Sequence, residues 1–207
     1  MKITILTLFP EMFDGFINTS IIKRALAKES VELELVNIRD FTKDKYGRVD
    51  SAPIGGGAGL IMKCQPILDA LKSVKKTSSY TILMSPTGRT FNQKIAHEFA
   101  SLDHLIIICG HYEGVDSRVN DYIDECVSIG DYILTGGELG SMVISDAIIR
   151  LIDGAISSES IIEESFETGF LNTHNLLSHL IMMVKKYQAF YIQEITKLLL
   201  NGVKKKV

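Results

Sequence analysis

The chain has 207 residues, 46% hydrophobic and 23% charged, which excludes a disordered polymer and allows one good-sized core with a small appendage. Its net charge of -3 excludes nucleic-acid binding by sheer excess of positive charge, although local clusters stand at Lys43, Lys45 and Arg48, at Lys185 and Lys186, and at Lys204 to Lys206. No apolar run reaches the length of a membrane span and no cleavage site follows the first apolar stretch, so a soluble cytoplasmic protein with no membrane partner is expected.

In chain order, the apolar run 2–9 reads as a first strand, stopped by Pro10. A helix is expected over 19–28 and a second strand over 31–38. The loop Gly55-Gly56-Gly57-Ala58-Gly59 precedes a helix at 65–74 and a strand at 80–84. Ser85-Pro86-Thr87-Gly88 then makes a loop before a helix at 92–101. Residues 104–109 form a continuous apolar run, the pattern of a central strand buried on both faces. The loop Gly110-His111-Tyr112-Glu113-Gly114, a helix at 115–124, a strand at 125–129, the loop Gly130 to Gly137 and a helix at 139–152 complete the series. Strands alternating with helices predict an α/β fold, a mostly parallel sheet flanked by helices. Cys64, Cys109 and Cys126 lack metal-ligand spacing, and Cys64 and Cys109 lie among apolar residues as buried free thiols would; no metal site is expected.

Three of the glycine loops follow strand ends, where ligands of open α/β sheets bind. None is a dinucleotide fingerprint or a P-loop, because no Lys-Ser/Thr follows and no helix opens directly from a strand. A single such loop means only a tight turn. Three that should meet in one place leave bare backbone to read the edges of a flat ligand, which suits an adenine ring without phosphates.

These residues carry a resemblance. Leu8-Phe9-Pro10-Glu11-Met12-Phe13, Gly55-Gly56-Gly57-Ala58-Gly59, Ser85-Pro86-Thr87-Gly88-Arg89, Ile108-Cys109-Gly110-His111-Tyr112-Glu113-Gly114 and Ser128-Ile129-Gly130-Asp131-Tyr132-Ile133-Leu134-Thr135-Gly136-Gly137-Glu138-Leu139 resemble the TrmD family of tRNA (guanine-N(1))-methyltransferases, in order from Met1 to about Leu171. The resemblance implies a deep trefoil knot at the cofactor site, and a homodimer whose active sites are shared. It implies that Gly110, Ile129, Gly130, Asp131, Tyr132, Ile133 and Leu134 hold S-adenosylmethionine, with Pro86, Tyr112, Glu113, Gly136 and Gly137 completing the wall. His111 is read as a wall residue rather than a base. The implied substrate is the anticodon arm of tRNA, methylated at nitrogen 1 of the guanosine just 3′ of the anticodon.

That nitrogen must lose its proton before its lone pair can attack a sulfonium methyl group, so a carboxylate base is required, and a cation near the guanine oxygen would stabilise developing charge. The family's base is an aspartate in a Glu-Asp-Ser-Phe stretch. Here the stretch reads Glu163-Glu164-Ser165-Phe166, which places Glu164 at the base position, one methylene longer, with Glu163 as its possible substitute. Arg150 matches the family's helix arginine and is the candidate for the guanine oxygen; its plainer reading is a surface ion pair.

The expected domains are a knotted cofactor-binding unit at 1–156, a linker at 157–171 and an atypical tail at 172–207. The family's helical tRNA-binding domain is absent or replaced in that tail. Back-translated and read one base earlier, Asn172-Thr173-His174-Asn175 can become Glu-Tyr-Pro-Gln, and Gln193-Glu194-Ile195-Thr196-Lys197 can become Ser-Gly-Asn-His-Lys, both family segments. A frameshift near Leu171 accounts for this; a native amphipathic tail striped by Leu176, Leu180, Met183 and Val184 is the alternative. Two further readings are a truncated, inactive remnant that binds S-adenosylmethionine and dimerises without methylating tRNA, and a generic nucleotide-binding α/β enzyme.

Overall fold

A computed structural model describes residues 1–155 together with Ile192 and Gln193. The chain divides into two units, Met1–Glu167 and Thr168–Val207. Glu163, Glu164 and, but for Ile192 and Gln193, the tail lie outside the described residues.

The first unit begins with β1 (Lys2–Thr7), a 3-10 turn (Pro10–Phe13), α1 (Asp14–Ile17), α2 (Ser20–Ala27) and β2 (Glu32–Asn37). A second 3-10 turn (Ile38–Phe41) leads to a small antiparallel pair, β3 (Asp50–Ser51) and β4 (Ile61–Met62). Next come α3 (Cys64–Val74), β5 (Ser79–Thr90), α4 (Gln93–Ala100) and β6 (His104–Ile108). A third 3-10 turn (Ser117–Tyr122), β7 (Glu125–Ser128) and α5 (Glu138–Leu151) follow. The sheet order is β2-β1-β6-β5-β7 and every pairing in it is parallel.

Two layers of core follow from the period of two along the central strands. Ile3, Ile5, Leu105, Ile107 and Cys109 face one side with Ile22, Phe99, Ile144 and Ile148. Leu6, Ile106 and Ile108 face the other with Ile38, Ile67 and Leu71. Each fully buried isoleucine contributes about 1.5–3 kcal/mol of transfer free energy. Helix α4 starts where expected because the Asn92 side chain accepts the Ile95 backbone N–H at 3.1 Å, satisfying one unpaired donor.

Two expectations are corrected. The segment 115–124 is not an α-helix. Val115 bridges Met62, the Met62 N–H donates to Gly114 O at 2.9 Å, and the Asp116 N–H donates to Met62 O at 3.0 Å, which holds the segment's start extended. Only the shorter 3-10 turn forms, opened by the Asp116 carboxylate accepting the Arg118 N–H. Cys64 is half-buried rather than buried, while Cys109 is buried as expected; all three thiols are free. Among the described residues no helix is long and apolar enough to cross a membrane.

Candidate functional site

The parallel sheet brings the carboxyl ends of β5, β6 and β7 side by side, and their loops enclose a cavity of about 630 Å³. Of the twelve expected cofactor residues, the eleven other than Asp131 line it: Pro86, Gly110, Tyr112, Glu113, Ile129, Gly130, Tyr132, Ile133, Leu134, Gly136 and Gly137. Asp131 is exposed and lies off the lining. His111 joins the wall, its ring tilted against Phe9 at a centroid distance of 5.0 Å.

Sequence reasoning missed part of the floor. Ser117 and Asn120 enter from the turn that replaces the expected helix, and Cys126 from β7. Gly140 also lines the cavity; a glycine inside a helix pattern was the available signal. The Gly55–Gly59 loop is not in the lining. It runs beside the rim, where the Glu113 N–H donates to Leu60 O at 3.0 Å.

The loops interlock through backbone. Strand β5 pairs with β7 up to Met84, bulges out through Ser85 to Gly88, and pairs again at Arg89 and Thr90. After β7 the chain crosses back to β6, where the Gly137 N–H donates to Gly110 O at 2.8 Å and Gly136 bridges His111. A β-carbon at Gly137 would stand 2.8 Å from Cys109 Cα and 3.1 Å from Gly110 N, so only glycine allows this approach. Burial and then Asp50 push the Tyr112 phenol up.

Among the described residues none that lines the cavity is Lys or Arg, and its one carboxylate is Glu113. Such a wall lacks the cations that phosphates call for, and the helix N-terminus that reaches it, that of α5 at Gly137, already carries the Glu138 carboxylate. The wall suits a flat, uncharged ring against bare backbone, with room for a ligand of nucleoside size. Arg150 is not there. It sits in the last turn of α5, twelve residues beyond Glu138 and so about 18 Å further along the helix.

The sequence profile of the family described as tRNA (Guanine-1)-methyltransferase TrmD matches residues 1–207. The chain belongs to this family. Its relatives include proteins named tRNA (guanine-N(1)-)-methyltransferase in three organisms. The Malacoplasma penetrans protein is 51% identical over 175 residues, 84% of this chain and 77% of that protein. The Carboxydothermus hydrogenoformans protein is 54% identical over 173 residues, 83% of this chain and 68% of its own length. One from Clostridium botulinum is 53% identical over 173 residues, 83% and 72% of the two chains.

Proposed function

We propose that this chain transfers a methyl group from S-adenosylmethionine to nitrogen 1 of the guanosine just 3′ of the anticodon in tRNA. The observation that carries this reading is a glycine-backbone cavity lined, among the described residues, by no Lys or Arg, in a chain of the TrmD family. The residues fit the group: Gly136, Gly137 and Gly140 let the chain pack closely against His111, Cys109 and Met84 to form a wall of bare backbone, and among the described residues no cation lines it, which matches a cofactor without phosphates. Pro86, Ile129 and Leu134 would supply its apolar walls, and Tyr112, Gly130, Tyr132 and Ile133 its rim. The return of the chain from β7 to β6 is read as the family's trefoil knot.

S-adenosylmethionine supplies an electrophilic methyl group when bound. The protein's part is to take the proton from guanine nitrogen 1, orient the nitrogen lone pair on the methyl carbon and exclude water. Glu164 is the proposed proton acceptor and Arg150 the proposed partner of the guanine oxygen. The carbon–sulfur electron pair would depart with the bound group as a neutral thioether, so the chain would need no acid for the leaving group. The distance of Arg150 from the cavity along α5 favours a site completed between two copies of the chain. Met12, Leu139 and Val143, each about half exposed on α5 and the turn it packs against, offer the apolar surface for that dimer.

The reading of 172–207 as out-of-frame sequence is kept as a proposal. Several relatives pair with 172 to 175 residues of this chain, while the family profile spans all of it. The test of function is transfer of labelled methyl groups to a tRNA transcript carrying guanosine after the anticodon, against a transcript with adenosine there. Equal labelling of both would refute the proposed target.

A further inference from the structure

Glu138 opens α5 directly behind the cavity wall, yet it is only 1% exposed. Its Oε1 accepts a hydrogen bond from the Thr7 hydroxyl at 2.8 Å, and Thr7 Oγ1 is itself held by the Phe9 N–H at 3.0 Å. Among the described residues no ion pair reaches Glu138. A buried carboxylate with a neutral partner and no counter-ion is costly, and the positive end of α5 offsets only part of that cost. Its second oxygen lies against the wall. A β-carbon on Gly136 would collide with Glu138 Oε2 and would stand 3.0 Å from His111 Nε2, and both Gly136 and His111 line the cavity. Burial, and then the Glu138 charge, push the neighbouring Cys109 thiol up.

We propose that Glu138 is the buried counter-charge for the sulfonium of S-adenosylmethionine, making the cavity prefer the cationic methyl donor to its neutral thioether product. This rests on the cofactor reading given above. A carboxylate fixed in a low-dielectric wall acts on a cavity ligand more strongly than Glu113, which is exposed at the rim and screened by water. The preference assists turnover, because the thioether left by methyl transfer loses the attraction that held the donor.

Calorimetry on the full chain tests this with three ligands: S-adenosylmethionine, its demethylated thioether S-adenosylhomocysteine, and sinefungin, whose amine carries a cation where the sulfonium would be. The unaltered chain should bind both cationic ligands more tightly than the thioether. E138Q keeps the acceptor for Thr7. It should lose about tenfold in affinity for the donor, the scale of one charge contact at intermediate dielectric, and little for the thioether. Its ligand-free thermal midpoint should not fall, since a buried charge is removed. E113Q should retain most of the discrimination. A thioether that binds the unaltered chain as tightly as the two cations overturns the inference without any variant. So does an E138Q protein with an unchanged ratio, or with equal losses for all three ligands. Failure of every ligand to bind the unaltered chain is a different result, which overturns the cofactor reading itself.

Discussion

Gly130 adopts φ +145°, a conformation side chains rarely take, and a β-carbon there would lie 2.6 Å from Tyr132 Cε1. Its N–H donates to Ser128 Oγ at 3.2 Å, and the Ser128 hydroxyl is 3.1 Å from Gly130 O, so the loop closes on itself. A bulky residue must break this turn and push Tyr132 from the rim. Gly130→Leu should therefore abolish S-adenosylmethionine binding in calorimetry while the circular dichroism of the sheet and helices is kept; unchanged affinity would remove the 129–137 loop from the site. For the proposed chemistry, Glu164→Ala and Arg150→Ala should each slow methyl transfer by at least about a hundredfold, the usual weight of a positioned base or charge stabiliser. Near-normal turnover of Glu164→Ala would show that another group, Glu163 first, takes the proton. Both acids are proposed from the sequence alone, through the Glu-Glu-Ser-Phe match, and lie outside the described residues. Glu138 was not legible there, because burial behind a glycine leaves no mark on spacing.

Among the elements, β6 followed its sequence most closely, since five consecutive apolar residues from Leu105 leave little alternative to a strand buried on both faces. Its first residue, His104, is the exception that makes a pH device. Thr4 Oγ1 donates its only proton to Glu34 Oε2 at 3.0 Å, so the His104 Nε2–H must donate to Thr4 at 2.9 Å. Nδ1 is left to accept from Ser79 Oγ at 2.7 Å, and Lys2 pairs with Glu34 at 2.9 Å. Four strands, β5, β6, β1 and β2, are tied through one neutral imidazole. Burial first, then Lys2 and Lys76, hold the His104 pKa below its usual 6.5. The unfolded chain then binds more protons as pH falls through 6.5. Stability is therefore full above that value and declines below it. Glu34, lowered below 4.5 chiefly by Lys2, adds a second loss only in more acid solution. Urea midpoints at pH 8, 6.5 and 5.5 should fall in that order; a flat series would mean the imidazole charges without cost. Sequence reasoning missed β3 and β4, two residues each, and α1, four residues, all too short for any period to register.

At the scale of the whole molecule, the parallel order places three loops far apart in sequence at one edge of the sheet, and this makes the cavity. The tail belongs to the same scale. If 172–207 is out-of-frame sequence, the chain as written should bind S-adenosylmethionine but hold tRNA weakly, because the family's helical tRNA-binding domain is replaced. Restoring the frame at Leu171 should recover both tRNA affinity and methylation of the guanosine after the anticodon. The paired measurement is tRNA affinity and methyl transfer for the two chains; equal values would make the tail a functional native segment.

By itself the sequence determined the five parallel strands, most of the helices between them, and the loops that line the cavity. Apolar period and glycine position are local properties, and they survive without a fold. Only the tertiary structure decided the rest. The start of the 115–124 segment is held extended because Met62, more than fifty residues earlier, takes its backbone hydrogen bonds. Asp131 falls off the wall and Asn120 falls onto it because the loop path depends on contacts across the sheet. The charge behind the cavity exists because α5 starts where Gly137 meets Gly110, which turns an ordinary helix-opening glutamate inward against Thr7.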